Sequence, residues 1–267
     1  MKKYISFFRI RFINSLQYRA AAYAGVATQF FWGFMEILIF AAFYKSNADA
    51  FPMKFQELSS YIWLQQATIA LFFIWFLDND LFAMITSGGV AYELCRPMDI
   101  YNMWYIKNMA IRVSRTVLRC IPILLIAVFL PKPYGLIIPA NFNLFILFII
   151  SMFLAFLVTI SFCMIIYATS FFTISSIGIR LFAASISEFF GGAIIPLPFF
   201  PEKLFNIMSV LPWASMQNVP FRIYSGNLSG NDAINAILLQ LFWFVTLTVI
   251  GKLMLDKGLK KVVVQGG

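Results

Sequence analysis

From Phe142 to Ala168 the chain carries no charged side chain. A run this long constrains the fold more than any other feature of the sequence. A helix needs about 20 mostly apolar residues to cross the hydrocarbon core of a bilayer. Composition points the same way, with 61% hydrophobic and 12% charged residues. Soluble domains carry about 45–50% apolar and about 25% charged residues, so lipid is the expected solvent.

Six segments are long and apolar enough to span, at 22–44, 59–77, 104–130, 142–169, 177–198 and 233–255. The first, third and fifth carry some charge. Strands of a membrane β-barrel alternate apolar and polar positions over about ten residues. These segments are too long for that and apolar on most sides. The expected fold is therefore all-α and integral to the membrane, with six transmembrane helices in one domain covering 1–267.

The basic residues set the expected orientation. Lys2, Lys3, Arg9, Arg11 and Arg19 precede the first span, and Lys252, Lys257, Lys260 and Lys261 close the last. Arg96, Lys107, Arg112 and Arg180 gather on the same side. Lys45, Lys54, Lys132, Lys203 and Arg222 are spread over the other. Positive charge accumulates in the cytoplasm, so both termini are expected there, in the cell membrane. That needs an even number of spans, in agreement with six. The net charge of +9 is thus mostly a topology signal. It leaves no solvated basic face for nucleic acid.

Residues 1–20 differ from a cleaved leader, whose apolar run is uninterrupted. Here Arg9, Arg11 and Arg19 interrupt it. Tyr4, Ile5, Phe8, Phe12 and Leu16 share one helical face, and a helix of this kind lies in the membrane interface.

Several chemistries are excluded. There is no histidine, and Cys95, Cys120 and Cys163 are far apart, so the commonest zinc and haem ligands are missing. No Gly-x-x-x-x-Gly-Lys-Ser/Thr loop is present to cradle nucleotide phosphates. No catalytic residue, metal or cofactor is expected.

Three features exceed what a plain bundle requires. The loop at 78–100 is long for a connection between neighbouring helices, where two to eight residues are usual. Leu81–Ile85 predicts a short helix, Ser87-Gly88-Gly89 breaks it, and Val90–Cys95 predicts a second. Arg96-Pro97 ends that one, because the residue before proline avoids the helical region. A folded, charged loop of this kind is a candidate docking surface. Next, residues 191–232 hold prolines at 196, 198, 201, 212 and 220. Pro201–Tyr224 is amphipathic, which predicts short re-entrant or interfacial helices. Irregular backbone at membrane depth is tolerated only when buried in protein or lining a cavity. Last, Glu36, Arg112, Arg115, Arg119 and Glu188 place charge inside spans. Such charges are costly and usually face the bundle interior or a partner. The hypothesis from spacing is that Arg115 or Arg119 pairs with Glu36 or Glu188.

Together these features resemble the permease subunits of ABC-2-type exporters, in the branch that includes viologen-exporter-like permeases. The resemblance covers essentially the full length. It is carried by Ser87-Gly88-Gly89, by Glu93-Leu94-Cys95-Arg96-Pro97-Met98-Asp99, and by the outer run Gly191-Gly192, Ile195-Pro196-Leu197, Phe200-Pro201 and Leu211-Pro212. Cys95 departs from the aliphatic residue expected there. The resemblance implies an N-terminal elbow helix at 1–20, a cytoplasmic coupling helix within 78–100, and re-entrant helices at 199–232 between spans five and six. It implies a separate cytoplasmic ABC ATPase dimer, contacted through Ser87, Gly88, Gly89, Glu93, Arg96 and Asp99. A second permease subunit would complete a homodimer or heterodimer, surrounded by membrane lipid. Pro196, Pro198, Pro201 and Pro212 would shape an outer gate, and the substrate would be hydrophobic or amphipathic. The alternative is an ion-coupled secondary transporter using Glu36 and Glu188. A membrane enzyme or a scaffold is a weaker fit, since only Asp78, Asp80, Glu93 and Asp99 cluster.

Overall fold

The structure is a computed structural model describing residues 2–17, 19–47, 51–139, 141–173 and 175–262, with the side chains of 19–22 left out. Residues 1 and 18 of the expected elbow, and the side chain of Arg19, lie outside the described residues.

Every regular element among them is helical. In chain order these are α1 (Lys2–Ser15), α2 (Arg19–Ser46), α3 (Phe55–Phe72), α4 (Asn79–Thr86), α5 (Val90–Leu94) and α6 (Ile100–Phe129). Then follow α7 (Phe142–Thr169), α8 (Ser176–Phe190), α9 (Glu202–Ser209), α10 (Asn218–Ser225) and α11 (Gly230–Leu259). Short 3-10 turns occupy Ile74–Phe76, Ser170–Phe172 and Leu197–Phe199.

Four helical stretches are long and apolar enough to cross a membrane: Tyr23–Ser46, Phe55–Thr86, Phe142–Phe172 and Gly230–Leu259. The third and fifth expected spans do not qualify on those terms. Helix α6 has the length, at 30 residues, but carries Lys107, Arg112, Arg115 and Arg119. Helix α8 stops after 15 residues, at Phe190, where the expected span ran on to 198. At 1.5 Å per residue α8 is about 22 Å long, short of the roughly 30 Å hydrocarbon core.

The core lies among α3, α6, α7 and α10. Tyr61, Trp104, Met103, Cys163, Tyr167 and Phe221 are all nearly or fully inaccessible there. Helix α11 packs along α7, and α1 lies along α6. Helix α2 rests on α3 and α6 through a narrow stripe of Gln29, Gly33 and Ile37. Small Gly33 permits this approach, because a Cβ there would sit 2.9 Å from the Gln66 side chain. The rest of α2 presents Phe31, Trp32, Leu38 and Phe43 outward, as a lipid-facing or subunit-facing helix does.

The leader helix differs in detail from its expected face. Tyr4, Phe8, Phe12 and Leu16 are half-buried, but Ile5 is exposed, while Phe7, Arg11 and Ser15 turn inward. The reason is the neighbour. Phe7 packs onto the core, and Arg11 and Ser15 line a polar cavity against α6.

Candidate functional site

The loop at 78–100 folds into two short helices, α4 and α5, split at Ser87-Gly88-Gly89. Gly88 takes φ +74°, a left-handed conformation that glycine adopts without steric cost. Asp78 starts the unit. Its Oδ1 accepts from the Asp80 backbone N–H at 3.0 Å, an N-cap that satisfies one of the free donors of α4. Its own N–H donates to Tyr167 Oη at 2.7 Å, and Tyr167 Oη donates to Asn108 Oδ1 at 3.2 Å. Asp78 Oδ2 pairs with Lys107 Nζ at 2.7 Å. One residue therefore ties α4 to both α6 and α7. Arg180 at the start of α8 adds a bond from Nη2 to Asn79 Oδ1 at 2.7 Å. Asp99 closes the unit by capping α6 through Asn102 N–H at 2.9 Å. The leader helix touches the same corner, where Lys3 Nζ donates to the Pro97 carbonyl at 2.6 Å.

Helix α5 offers an exposed surface on this fixed base. Tyr92 is 82% exposed and Leu94 50%. Ser87, Arg96 and Asp99 are exposed as well, and Gly88 and Gly89 half-buried. Glu93 is mostly buried and holds Arg96 at 3.0 Å. The solvent-facing partner of that pair is Arg96.

A cavity of 540 Å³ lies between α1, residues 76–80 and α6. Arg11, Lys107, Arg115 and Arg119 supply its positive charge, and Asp78 and Asp80 its negative charge. Arg115 and Arg119 stand over the Phe76 ring, at 5.7 and 6.0 Å from its centroid.

The charges expected inside spans do not pair as the spacing suggested. Among the described residues no ion pair joins Arg115 or Arg119 to Glu36 or Glu188; the two that form are Lys107–Asp78 and Arg96–Glu93. Glu36 faces Gln66 of α3. Glu188 faces Trp75, and its Oε1 is buried without a hydrogen bond. Arg112 takes a different partner altogether. Its Nη1 lies 3.3, 2.9 and 3.0 Å from the carbonyl oxygens of Ala70, Leu71 and Phe73. Those carbonyls end α3, where the negative end of the helix dipole favours a cation. Its Nη2 reaches Cys163 Sγ at 3.2 Å. The three arginines share a broad helical face, yet Arg112 looks into protein and the other two into the cavity.

The proline-rich segment is exposed along much of α9 but well buried from Pro212 to Tyr224. Pro196 opens the 3-10 turn at Leu197–Phe199, with Pro198 inside it, and Pro201 precedes α9. Pro212 sits in the turn before α10. Ala214, Ser215, Met216, Gln217 and Asn218 are each at most 4% exposed. Buried backbone needs partners, and three carbonyls of the 191–232 segment find theirs on long helices. Gln240 of α11 donates to the Ser215 carbonyl at 2.9 Å and accepts from Ser151 Oγ at 2.9 Å. Tyr61 and Gln65 of α3 donate to the carbonyls of Gly192 and Ala193, at 2.9 and 2.6 Å. These anchors escaped the sequence reading, since isolated Gln, Ser and Tyr in apolar helices carry no motif.

The family model described as ABC-2 family transporter protein matches residues 30–266. The chain belongs to the ABC-2 transporter family. It is accordingly a multi-pass membrane protein and a permease, the membrane component of an ABC transporter rather than its catalytic part. An ABC-2 permease works in general with an ABC ATPase partner. No curated protein and no solved structure matches the permease.

Proposed function

We propose that this permease is the transmembrane subunit of an ATP-driven exporter in the cell membrane, with both termini in the cytoplasm. It moves a hydrophobic or amphipathic substrate outward. In this reading α6 and α8 complete a set of six spans, α1 is the elbow, and α9 and α10 are the re-entrant elements behind an outer gate. An ATPase dimer docks on α4 and α5, and a second permease subunit forms the other wall of the path.

The observation that supports this best is the combination of a clamped base and an open tip in the 78–100 unit. The Lys107–Asp78 pair and the Tyr167 bond make α4 rigid with α6 and α7. Tyr92 and Leu94 stand exposed on α5, and Arg96 just beyond its end. A push on α5 would then reach the spanning helices without being absorbed by the loop. Two-state transport needs differential contacts of this kind. Glu93 contributes by holding Arg96, and Ser87 with Gly88 and Gly89 sets the angle between the two helices.

The test is affinity purification in mild detergent, followed by identification of partners and an ATPase assay. An ABC ATPase should copurify. Arg96→Glu and Tyr92→Ala should each lower the permease-dependent ATPase stimulation, with the amount of permease in the membrane unchanged. Full stimulation in both variants would remove α5 from the coupling role.

One observation favours an ion-coupled secondary transporter instead, namely the buried, unbonded Oε1 of Glu188. Transport that a proton uncoupler abolishes, while ATPase activity persists, would decide for that mechanism.

A further inference from the structure

We propose that the cavity between α1, residues 76–80 and α6 binds the phosphate headgroup of an anionic phospholipid, with Arg115 and Arg119 as its principal ligands. This assignment depends on membrane residence alone and not on the ATPase-coupled mechanism.

The charge balance comes first. Lys107 is neutralised by Asp78 at 2.7 Å. That leaves Arg11, Arg115 and Arg119 against Asp80, or three positive charges minus one negative, a surplus of +2. Arg115 and Arg119 make no ion pair among the described residues, and the buried Nε of Arg119 has no hydrogen bond there. Both guanidiniums stand over Phe76. A ring face stabilises the cation and accepts none of the in-plane N–H donors, which remain free for an oxyanion. Arg112 supplies an internal contrast. The fold satisfies it with three carbonyls and a sulfur, but the next two arginines on the same helix line the cavity. A guanidinium fork matches phosphate geometry better than a lysine does.

The position favours a lipid over a soluble anion. Side chains on a helix lean toward its N-terminus, so Arg115 and Arg119 lean toward Lys107 and the α1 end. Arg11 and Asn14 bring the leader helix to the same spot. In the other direction the cavity face of α6 continues, at spacings of four, three and four, from Leu118 through Pro122 and Leu125 to Phe129. Leu125 is 55% exposed and Phe129 85%. A basic socket below an open apolar lane suits a charged headgroup with acyl chains, while a free phosphate would leave the lane unused. The volume of 540 Å³ accommodates a glycerophosphate headgroup and falls in the common range for small-molecule sites.

The test uses the full chain in an uncharged detergent and native mass spectrometry. Phosphatidylglycerol, phosphatidylcholine with the same acyl chains, and inorganic phosphate are added in turn. One phosphatidylglycerol per chain should bind about tenfold more tightly than phosphatidylcholine, which is about 1.4 kcal/mol. Arg115→Gln with Arg119→Gln should abolish that preference, and the corresponding double change to Lys should retain part of it. Lys252→Gln with Lys257→Gln, on the exposed end of α11, should leave it intact. Four results would overturn the assignment: no preference in the wild type, an unchanged preference in the double Gln variant, an equal loss in the α11 variant, or displacement of the lipid by inorganic phosphate at equal concentration. A chain that dimerises through this face and excludes lipid would overturn it as well. If the double Gln variant does not fold, a photoactivatable phosphatidylglycerol decides with the wild type. Labelling of α6 between Arg115 and Phe129 supports the site, and labelling confined to other helices overturns it.

Discussion

Lys107 Nζ lies 2.7 Å from Asp78 Oδ2, and each of the two side chains is 9% exposed. This buried pair is the joint between α6 and the unit formed by α4 and α5. Removing one member strands a charge, which costs about 3–5 kcal/mol in buried pairs. Lys107→Met should therefore lower the thermal unfolding midpoint in detergent more than a change at any exposed lysine. Asp78→Asn combined with Lys107→Met should recover part of the loss, because no bare charge remains and the N-cap acceptor persists. A double-mutant cycle on unfolding midpoints checks this. Simple additivity of the two single effects would show that the pair is not coupled.

Arg112 makes a second, separable prediction. Its guanidinium serves the three carbonyls that end α3, so its loss leaves buried acceptors bare, at about 1–3 kcal/mol each. Arg112→Met should be among the most destabilising single changes in α6. Arg112→Lys should be milder, since one ammonium keeps a cation at the helix end but cannot also reach Cys163. Arg115→Met should barely alter the unfolding midpoint, because Arg115 forms no hydrogen bond among the described residues. Comparable losses for Arg112→Met and Arg115→Met would contradict the distinction drawn here.

The sequence shows some of this and hides the rest, for physical reasons. Long apolar runs are visible because a bilayer sets a minimum length, and the helix Phe142–Thr169 has the expected bounds. The split of the 78–100 loop is visible too, because Ser87-Gly88-Gly89 and Arg96-Pro97 act locally on the backbone. The break after Phe72 is invisible, since Phe73-Ile74-Trp75-Phe76 is as apolar as the helix before it. What stabilises that break is Arg112, distant in sequence. The burial of Ser215, Gln217 and Asn218 was equally hidden. The expected re-entrant elements named no anchor, because the Gln240 side chain that bonds the Ser215 carbonyl lies on another helix. The pairing of Arg119 with an acid failed for a similar reason, because one helical face can serve both a protein contact and an open cavity.

The buried part of the proline-rich segment yields a third prediction. Gln240 bonds Ser215 and Ser151 at once, and Tyr61 bonds the Gly192 carbonyl. Gln240→Leu removes the side-chain partner of the Ser215 carbonyl and costs about 1–3 kcal/mol. Locally the effect should be larger than globally, because the backbone bonds at 211–219 are otherwise short-range turn bonds. Hydrogen exchange should accelerate across 210–221 in Gln240→Leu and around 191–196 in Tyr61→Phe, while α7 remains protected. Uniform acceleration through α7 and α11 would mean that these bonds hold the bundle and not the segment.

Charge reversal at Arg119 and Glu188 tests the unpaired arrangement directly. Gly25 of α2 is packed against Arg119, such that a Cβ there would lie 2.8 Å from Arg119 Cζ. Glu188 instead belongs to the crevice beside Phe73 and Gly191. With no ion pair between them, Arg119→Glu loses cation–π contact with Phe76 and introduces a carboxylate into the cavity that Asp80 also lines. Glu188→Arg places a longer cation in a crevice shaped for a smaller group. Neither change repairs the other. Arg119→Glu with Glu188→Arg should yield no more monodisperse protein than the worse single variant, as measured by size-exclusion chromatography in detergent. Recovery to the wild-type level would mean that the two residues meet in another state of the transport cycle, in which α8 has moved against α6.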